Sequence, residues 1–348
     1  MRSVSNRTKA VLCDPRLTAA RDGHLARLHA LYAGRALERV FVLQGVLGEA
    51  KADPYAEPQR WVEEALDDLA SKSEKALDPV VFRPLVVEFE PYGVHFVDRI
   101  LGADVFQLDG GWQARMLDRP VGSLEPPDAF GSDTWLAAQR VAEAFLEAGV
   151  AAPLFGLPVI ASALNVAVNL YGQEFLAALH ERPEAARHDL GVINRVLCDL
   201  HRWYLRRVPL QQLQPVVSWQ RTQPPGFGQL CGCSTQLVSG EMYGEFIAAL
   251  DDALLSTYPM GGMIHLCGTH TQHIPVWRGM RRLRAVQIND RAAEDLQVYL
   301  RGLRPDQVIY VNPCRNMPVE RIMDITGGER VVVVAEVAEP LRTADARR

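Results

Sequence analysis

Apolar and polar positions follow two rhythms along this chain, and the change from one to the other organises it. Over residues 17–37 and 58–77 apolar residues recur at the spacing of one helix face, and a short apolar run at 39–43 between them reads as a supporting strand. From residue 80 the rhythm becomes short β-rich runs, at 80–87, 105–108, 151–160, 214–219, 263–266, 285–288, 307–311 and 330–335. Helical stretches at 134–148, 172–179, 183–206, 239–254, 292–303 and 319–325 separate them. Strand-then-helix units without a long linker predict one α/β domain, and about eight of them predict a (β/α)8 TIM barrel, with a doubly wound sheet as the alternative. In this reading residues 1–78 are an N-terminal helical extension packed on the barrel. Residues 79–340 are the barrel, and 341–348 are a flexible tail.

Composition narrows the classes of function. The chain has 348 residues, 48% of them hydrophobic, enough to bury one large core, and its 23% charged residues are interspersed with a formal net charge of -5. No basic block or arginine-aromatic stripe is present, which argues against a nucleic-acid partner. No apolar run reaches membrane-spanning length, and only three apolar residues follow the polar start, so a cytoplasmic, non-membrane protein is expected. Six cysteines in so long a chain fit thiolate chemistry or metal binding in a reducing compartment better than a disulfide framework. The glycine-rich phosphate-binding motifs of nucleotide sites are absent.

The candidate chemistry sits at the ends of the apolar runs. His265-Leu-Cys267-Gly268 closes the run 258–264, and strand alternation points residues two apart to one face, so His265 and Cys267 can converge on one ion. His270 and His273 follow, Cys231-Gly-Cys233 precedes, and Cys314 comes shortly after the run ending at Val311. In a barrel these positions fall on the catalytic rim, in the order Cys231 and Cys233, His265 and Cys267, Asn289 and Asp290, Cys314, Glu336. Ligands rank as His265, Cys267, then Cys314; Cys231 and Cys233 remain open between ligand, substrate-site thiol, redox pair and packing. Asp290 and His270 are the candidates for proton transfer. Cys13 and Cys198 are isolated and read as structural; Trp112, Trp219 and Trp277 read as core.

Several of these motifs together resemble the superfamily of uroporphyrinogen decarboxylase and the zinc-dependent methyltransferases that move methyl groups from corrinoid proteins to thiols. That family carries a segment like SPEMY-x-EF ahead of a strand ending in H-x-CG; here Ser239-Gly-Glu-Met-Tyr-Gly-Glu-Phe246 precedes Ile264-His-Leu-Cys-Gly268. Glu181-Arg-Pro-Glu184, Phe96-Val-Asp-Arg-Ile-Leu-Gly-Ala-Asp104 and Tyr310-Val-Asn-Pro313 extend the likeness over about residues 90 to 335. The resemblance implies a (β/α)8 barrel. The chain lacks the N-terminal arginine motif of the decarboxylases, offering only Arg21, Arg27 and Arg35 spread along helices as solvated charges, and so resembles the methyltransferase branch more.

By that resemblance His265 and Cys267 are zinc ligands and Asp290 matches an acidic residue of the family's site. The branch places its third ligand, a cysteine, at the end of the last strand, where this chain reads Val334-Ala-Glu336; Glu336 or the displaced Cys314 would substitute. The resemblance implies zinc-dependent transfer of a methyl group to a metal-activated thiol, from a corrinoid protein or another methyl donor. No corrinoid-binding segment of the Asp-x-His-x-x-Gly kind is present, so the corrinoid belongs to a separate partner. The small-molecule partner is a thiol or methylated substrate, and a homodimer fits the family. Two alternatives remain open: a metal-independent decarboxylase or lyase using Asp290 and His270, and a soft-metal-binding protein without catalysis.

Overall fold

The computed structural model describes residues 4–335. Its strands, in chain order, are β1 (Phe41–Leu43), β2 (Val46–Leu47), β3 (Val81–Phe82), β4 (Leu85–Glu88), β5 (Asp104–Leu108), β6 (Gly111–Arg115), β7 (Leu154–Gly156), β8 (Leu213–Gln214), β9 (Gly228–Cys231), β10 (Gly262–Cys267), β11 (Leu283–Asn289), β12 (Val308–Val311) and β13 (Val331–Val334). Hydrogen-bonded neighbours run β3-β1-β13-β12-β11-β10-β9 in a seven-stranded sheet and β2-β4-β7-β8 in a four-stranded one. Both sheets are parallel throughout. Backbone bonds from Gln44 N–H to the Phe82 carbonyl (2.9 Å) and from Val46 N–H to the Pro84 carbonyl (2.8 Å) stitch the two together. Thus β1 and β2 are one bent strand, as are β3 and β4, where Pro84 has no N–H to give the ladder.

Alternation along these strands sorts their side chains into two apolar clusters. Ile264, Leu266, Val286, Ile288, Ile309, Val311, Val331 and Val333 pack outward with the helices, against residues such as Leu296 and Ile322. The opposite face contributes Phe41, Leu43, Phe82, Val86, Leu154, Met263, Ala285, Val308, Tyr310, Val332 and Val334 to a separate cluster. In a flat sheet Leu154 of β7 and Met263 of β10 would lie many strand spacings of about 4.8 Å apart. Their membership of one cluster shows that the sheet is curled around it.

The curl is not closed by a ladder: among the described residues β8 and β9 do not pair, and Cys231 N–H reaches the Ala161 carbonyl at 3.4 Å. Sequence accounts for the interruption. Pro215 ends β8, Pro224, Pro225 and Gly226 precede β9, and Ser218 between them takes the unusual φ of 112°. The protein is a mixed α/β fold around a curled parallel sheet.

Three features depart from the sequence reading. The run at 39–43 lies inside the sheet, between β3 and β13, so the stretch 1–78 expected as a helical extension also supplies a strand. The run at 105–108 stands outside the parallel sheet, as an antiparallel hairpin with β6 turned by Asp109 (φ 50°) and Gly110 (φ 80°). A helix not expected from the pattern, Ala163–Tyr171, is capped by Ser162, whose hydroxyl accepts from Asn165 N–H, and carries Asn165 to the rim. No helix among the described residues is long and apolar enough to cross a membrane. The segment expected as a tail, 341–348, lies outside the described residues.

Candidate metal centre

Register builds the site. β10 lies between β9 and β11, and the ladder sets His265 beside Cys231 on one side and Gln287 on the other. In-register neighbours of a parallel pair share a face, and Cys267, two residues on, returns to it. The same face carries Met263 and Ala285 one step earlier, so an apolar floor gives way to thiol, imidazole and amide at the strand ends. Gly232 lets the chain fold back after β9, since a Cβ there would stand 2.6 Å from Ile264 Cδ1. Gly268, at φ 84°, turns the chain away after Cys267.

The ligand atoms of Cys231, Cys233 and His265 all lie within 4.8 Å of one another. Cys231 Sγ is 3.5 Å from Cys233 Sγ, and Cys267 Sγ is 3.2 Å from His265 Nε2. Ligands 2.0–2.3 Å from a tetrahedral ion stand about 3.5 Å apart, so these separations suit a zinc-sized ion shared by sulfur and nitrogen. Soft thiolates with an imidazole are the donor set that Zn²⁺ and similar ions prefer, and the residues present therefore fit such a metal.

Behind the ligands a chain of amides fixes the imidazole. Arg221, which can only donate, gives its Nε–H to Gln287 Oε1 at 3.0 Å, and this identifies that atom as an acceptor. His265 Nδ1 lies 2.8 Å from the same oxygen and must carry the proton, leaving the Nε2 lone pair facing Cys267. Gln287 Nε2 donates to Asn312 Oδ1 (2.9 Å), whose Nδ2 donates to Gln220 Oε1 (3.0 Å). Burial and the Arg221 charge push the His265 pKa well below its ordinary value, so the ring is the neutral form that binds metals.

The thiols divide one role between them. The S–H of Cys233 and the Asn165 amide, 3.5 Å from Cys231 Sγ, favour the Cys231 thiolate, and Arg221 adds its charge, so the Cys231 pKa is lowered. Cys267 is lowered too, first by the Cys233 thiol, while Cys233 is raised as the group that keeps the proton. Arg221 Nη1 is buried without a hydrogen-bond partner among the described residues.

By sequence, no family model and no curated protein matches this chain. Among solved structures, a methyltransferase from Methanosarcina mazei matches with a TM-score of 0.63 at 10% identity, covering 89% of this chain and 92% of that one. The chain shares its fold with that protein.

The remaining candidates fall in different places. Cys314 stands apart from the ligand group: it forms a backbone bridge with Met317 and packs against the outer apolar cluster. Asp290 is exposed one residue beyond β11, with φ 49° and ψ -126°, close enough that its charge raises the Cys267 pKa. His270 is fully buried, its Nδ1 2.8 Å from the Gly268 carbonyl and its Nε2 3.2 Å from the Cys233 carbonyl; burial lowers its pKa, and the neutral ring has one N–H to give to one of these two carbonyls. His273 is core, packed on Tyr243 and Trp277 with Nε2 at the Thr235 carbonyl (2.9 Å). Glu336 lies outside the described residues. Arg21, expected as a solvated charge, is buried and donates to the carbonyls of Ala151 and Ala152 because the helix holding it packs beside the approach to β7.

Sequence reasoning missed Gln287, Arg221, Asn165 and Glu88. Gln287 and Glu88 share a legible signal, a polar residue on the inward register of an apolar strand. Glu88 ends β4, accepts a bond from Gln214 Nε2 at 2.7 Å, and burial raises its pKa to about 7. Arg221 and Asn165 had no local signal, since only the fold brings their loop and helix to the rim.

Proposed function

We propose that the protein is a zinc-dependent methyltransferase that transfers a methyl group to a thiol. One observation carries this reading: a thiol and imidazole cluster at the C-terminal strand ends of a methyltransferase-like fold. In such folds that rim is where catalytic groups gather, and we read the curled sheet as a (β/α)8 barrel whose β8–β9 seam is completed by packing. Cys231, Cys233 and His265 would hold the ion and leave a fourth position open beside Cys267, replacing the set built on Cys314. A bound Zn²⁺ lowers the pKa of a coordinated thiol toward neutrality and leaves a strong nucleophile.

The chain's own residues do the rest. Gln287 and Arg221 hold His265 in its ligating tautomer, and the Arg221 charge offsets the negative charge of the thiolates. Cys231 and His265 are 8% and 4% exposed, whereas Cys233 and Cys267 are partly open, so a substrate thiol enters on the side of the latter pair. Asp290, exposed beside Cys267, accepts the proton that the substrate thiol loses. The thiolate sulfur then attacks the methyl carbon; the S–C bond forms as the donor bond breaks, and its electron pair stays with the donor. A corrinoid on a separate protein is the donor we propose, leaving as its cob(I) form.

Elemental analysis of the purified chain beside His265→Ala tests the metal, and methylation of a small thiol by free methylcobalamin tests the reaction. About one Zn²⁺ per chain, absent from a folded variant, together with zinc-dependent thioether formation, supports the reading. A folded, reduced wild-type protein that takes up no added Zn²⁺ ends it.

A further inference from the structure

Three protein donors, Cys231, Cys233 and His265, are close enough to share one ion, and two of them are joined by a single residue. Cys231 and Cys233 have their sulfurs 3.5 Å apart with only Gly232 between them. Gly232 has φ -104° and ψ 12°, a turn conformation that shortens the span between its neighbours relative to an extended strand, into the range a disulfide tolerates. Asn165 braces both arms of this turn: its Nδ2 donates to Cys231 Sγ (3.5 Å) and its Oδ1 accepts from Ser234 N–H (3.4 Å). Cys231 is anchored at a strand end, and Cys233 is partly exposed to a reagent from solvent.

We propose that Cys231 and Cys233 form a reversible disulfide under hydroperoxides, and that metal and disulfide exclude one another at this site. One sulfur attacks the outer oxygen of the peroxide; the O–O bond breaks and the alcohol leaves with a proton from solvent. The resulting sulfenic acid is attacked by the second sulfur. The S–S bond forms, the S–O bond breaks, and hydroxide takes the second thiol's proton to leave as water. Two thiols are oxidised and one peroxide is reduced. A sulfur bound in the disulfide has no thiolate pair to give a metal, and a metal-bound thiolate is withheld from the peroxide. The disulfide stands without the metal; the exclusion rests on the metal reading above.

The test uses the full chain, stripped of metal by a chelator under reducing conditions, freed of reductant and treated with hydrogen peroxide. Intact mass and thiol alkylation should show the loss of two hydrogens and of two alkylatable thiols, both restored by a dithiol reductant. Cys267→Ser should keep this change, and Cys231→Ser and Cys233→Ser should each abolish it. Persistence in Cys231→Ser would mean that Cys233 pairs with Cys267, and would overturn the assignment, as would oxidation that only adds oxygen. Protein loaded with Zn²⁺ should react several-fold more slowly; equal rates would overturn the exclusion alone. A disulfide in a chain that binds no Zn²⁺ would sustain the redox pair while removing the methyltransferase reading.

Discussion

The two sides of the rim rest on one apolar floor and carry opposite chemistry. From β9 to β11 the inward positions above Met263 and Ala285 are Cys231, His265, Cys267 and Gln287, donors that reinforce one another. From β4 to β8 the corresponding positions are Glu88 and Gln214, a carboxyl held by one amide and pushed toward its neutral form by burial. Arg221 lies between them, lowering the pKa of Cys231 on one side and of Glu88 on the other. The difference teaches that register alone gathers groups at a strand end. Donor softness and a shared hydrogen-bond chain decide whether they form a group that could hold a metal ion or a lone acid.

Removing the central ligand should break the comparison most strongly. His265→Ala should lower zinc affinity by more than about 100-fold, because changes behind the ligands alone cost roughly 10–100-fold. The apolar floor and outer cluster are untouched, so the melting transition of the metal-free variant should match that of metal-free wild type. Metal competition titration and thermal melts check both halves; a variant that melts far lower would make His265 a keystone of the fold instead.

Gln287→Ala leaves every ligand in place and deletes the acceptor that fixes the imidazole tautomer. Its expected cost is about 10–100-fold in zinc affinity. It also strands the Arg221 Nε–H, so some loss of stability should accompany it. Unchanged zinc affinity in the same titration would show that β10 and β11 orient His265 without the amide chain.

On the acid side, Glu88→Gln should stabilise the protein at alkaline pH. The folded-state pKa, about 7, lies above the ordinary 4.5, so Glu88 favours folding below pH 4.5 and that contribution is lost as pH rises through 7. Above pH 8 the variant should gain about 2 kcal/mol, less than the full shift of the pKa converts to because the carboxyl is partly exposed. Near pH 4 the gain should vanish. Urea unfolding at the two pH values measures it, and because Asp251, also raised to about 7, is left unaltered, the difference isolates Glu88.

Much of this contrast was legible in the sequence. His265 and Cys267 declare themselves by strand alternation, whereas Cys231-Gly-Cys233 was visible only as a pair of nearby thiols whose role stayed open. The strand-and-helix rhythm was read correctly as α/β, but the break between β8 and β9 depends on how Pro215 and the 224–226 segment fold, which no periodicity encodes. β9 itself is glycine-rich and short, and its strand identity comes from pairing with β10. Gln287 was passed over because a glutamine in an apolar strand looks like a solvated interruption until its neighbours in register are known.

Cys314 is where local pattern and tertiary structure diverge, and it yields the smallest effect. Tyr310 and Asn312 take successive inward positions, and an unbroken strand would have brought Cys314 inward next. Pro313 cannot donate to the ladder, β12 ends at Val311, and the bridge to Met317 turns the chain so that Cys314 packs on the outer cluster. Cys314→Ser should therefore leave zinc stoichiometry and affinity unchanged and cost at most about 1 kcal/mol of stability, as expected for one partly buried sulfur. The same titration and melt that register His265→Ala would register this variant. A loss of metal would move the centre toward β12 and dissolve the division of the rim between a thiol side and an acid side.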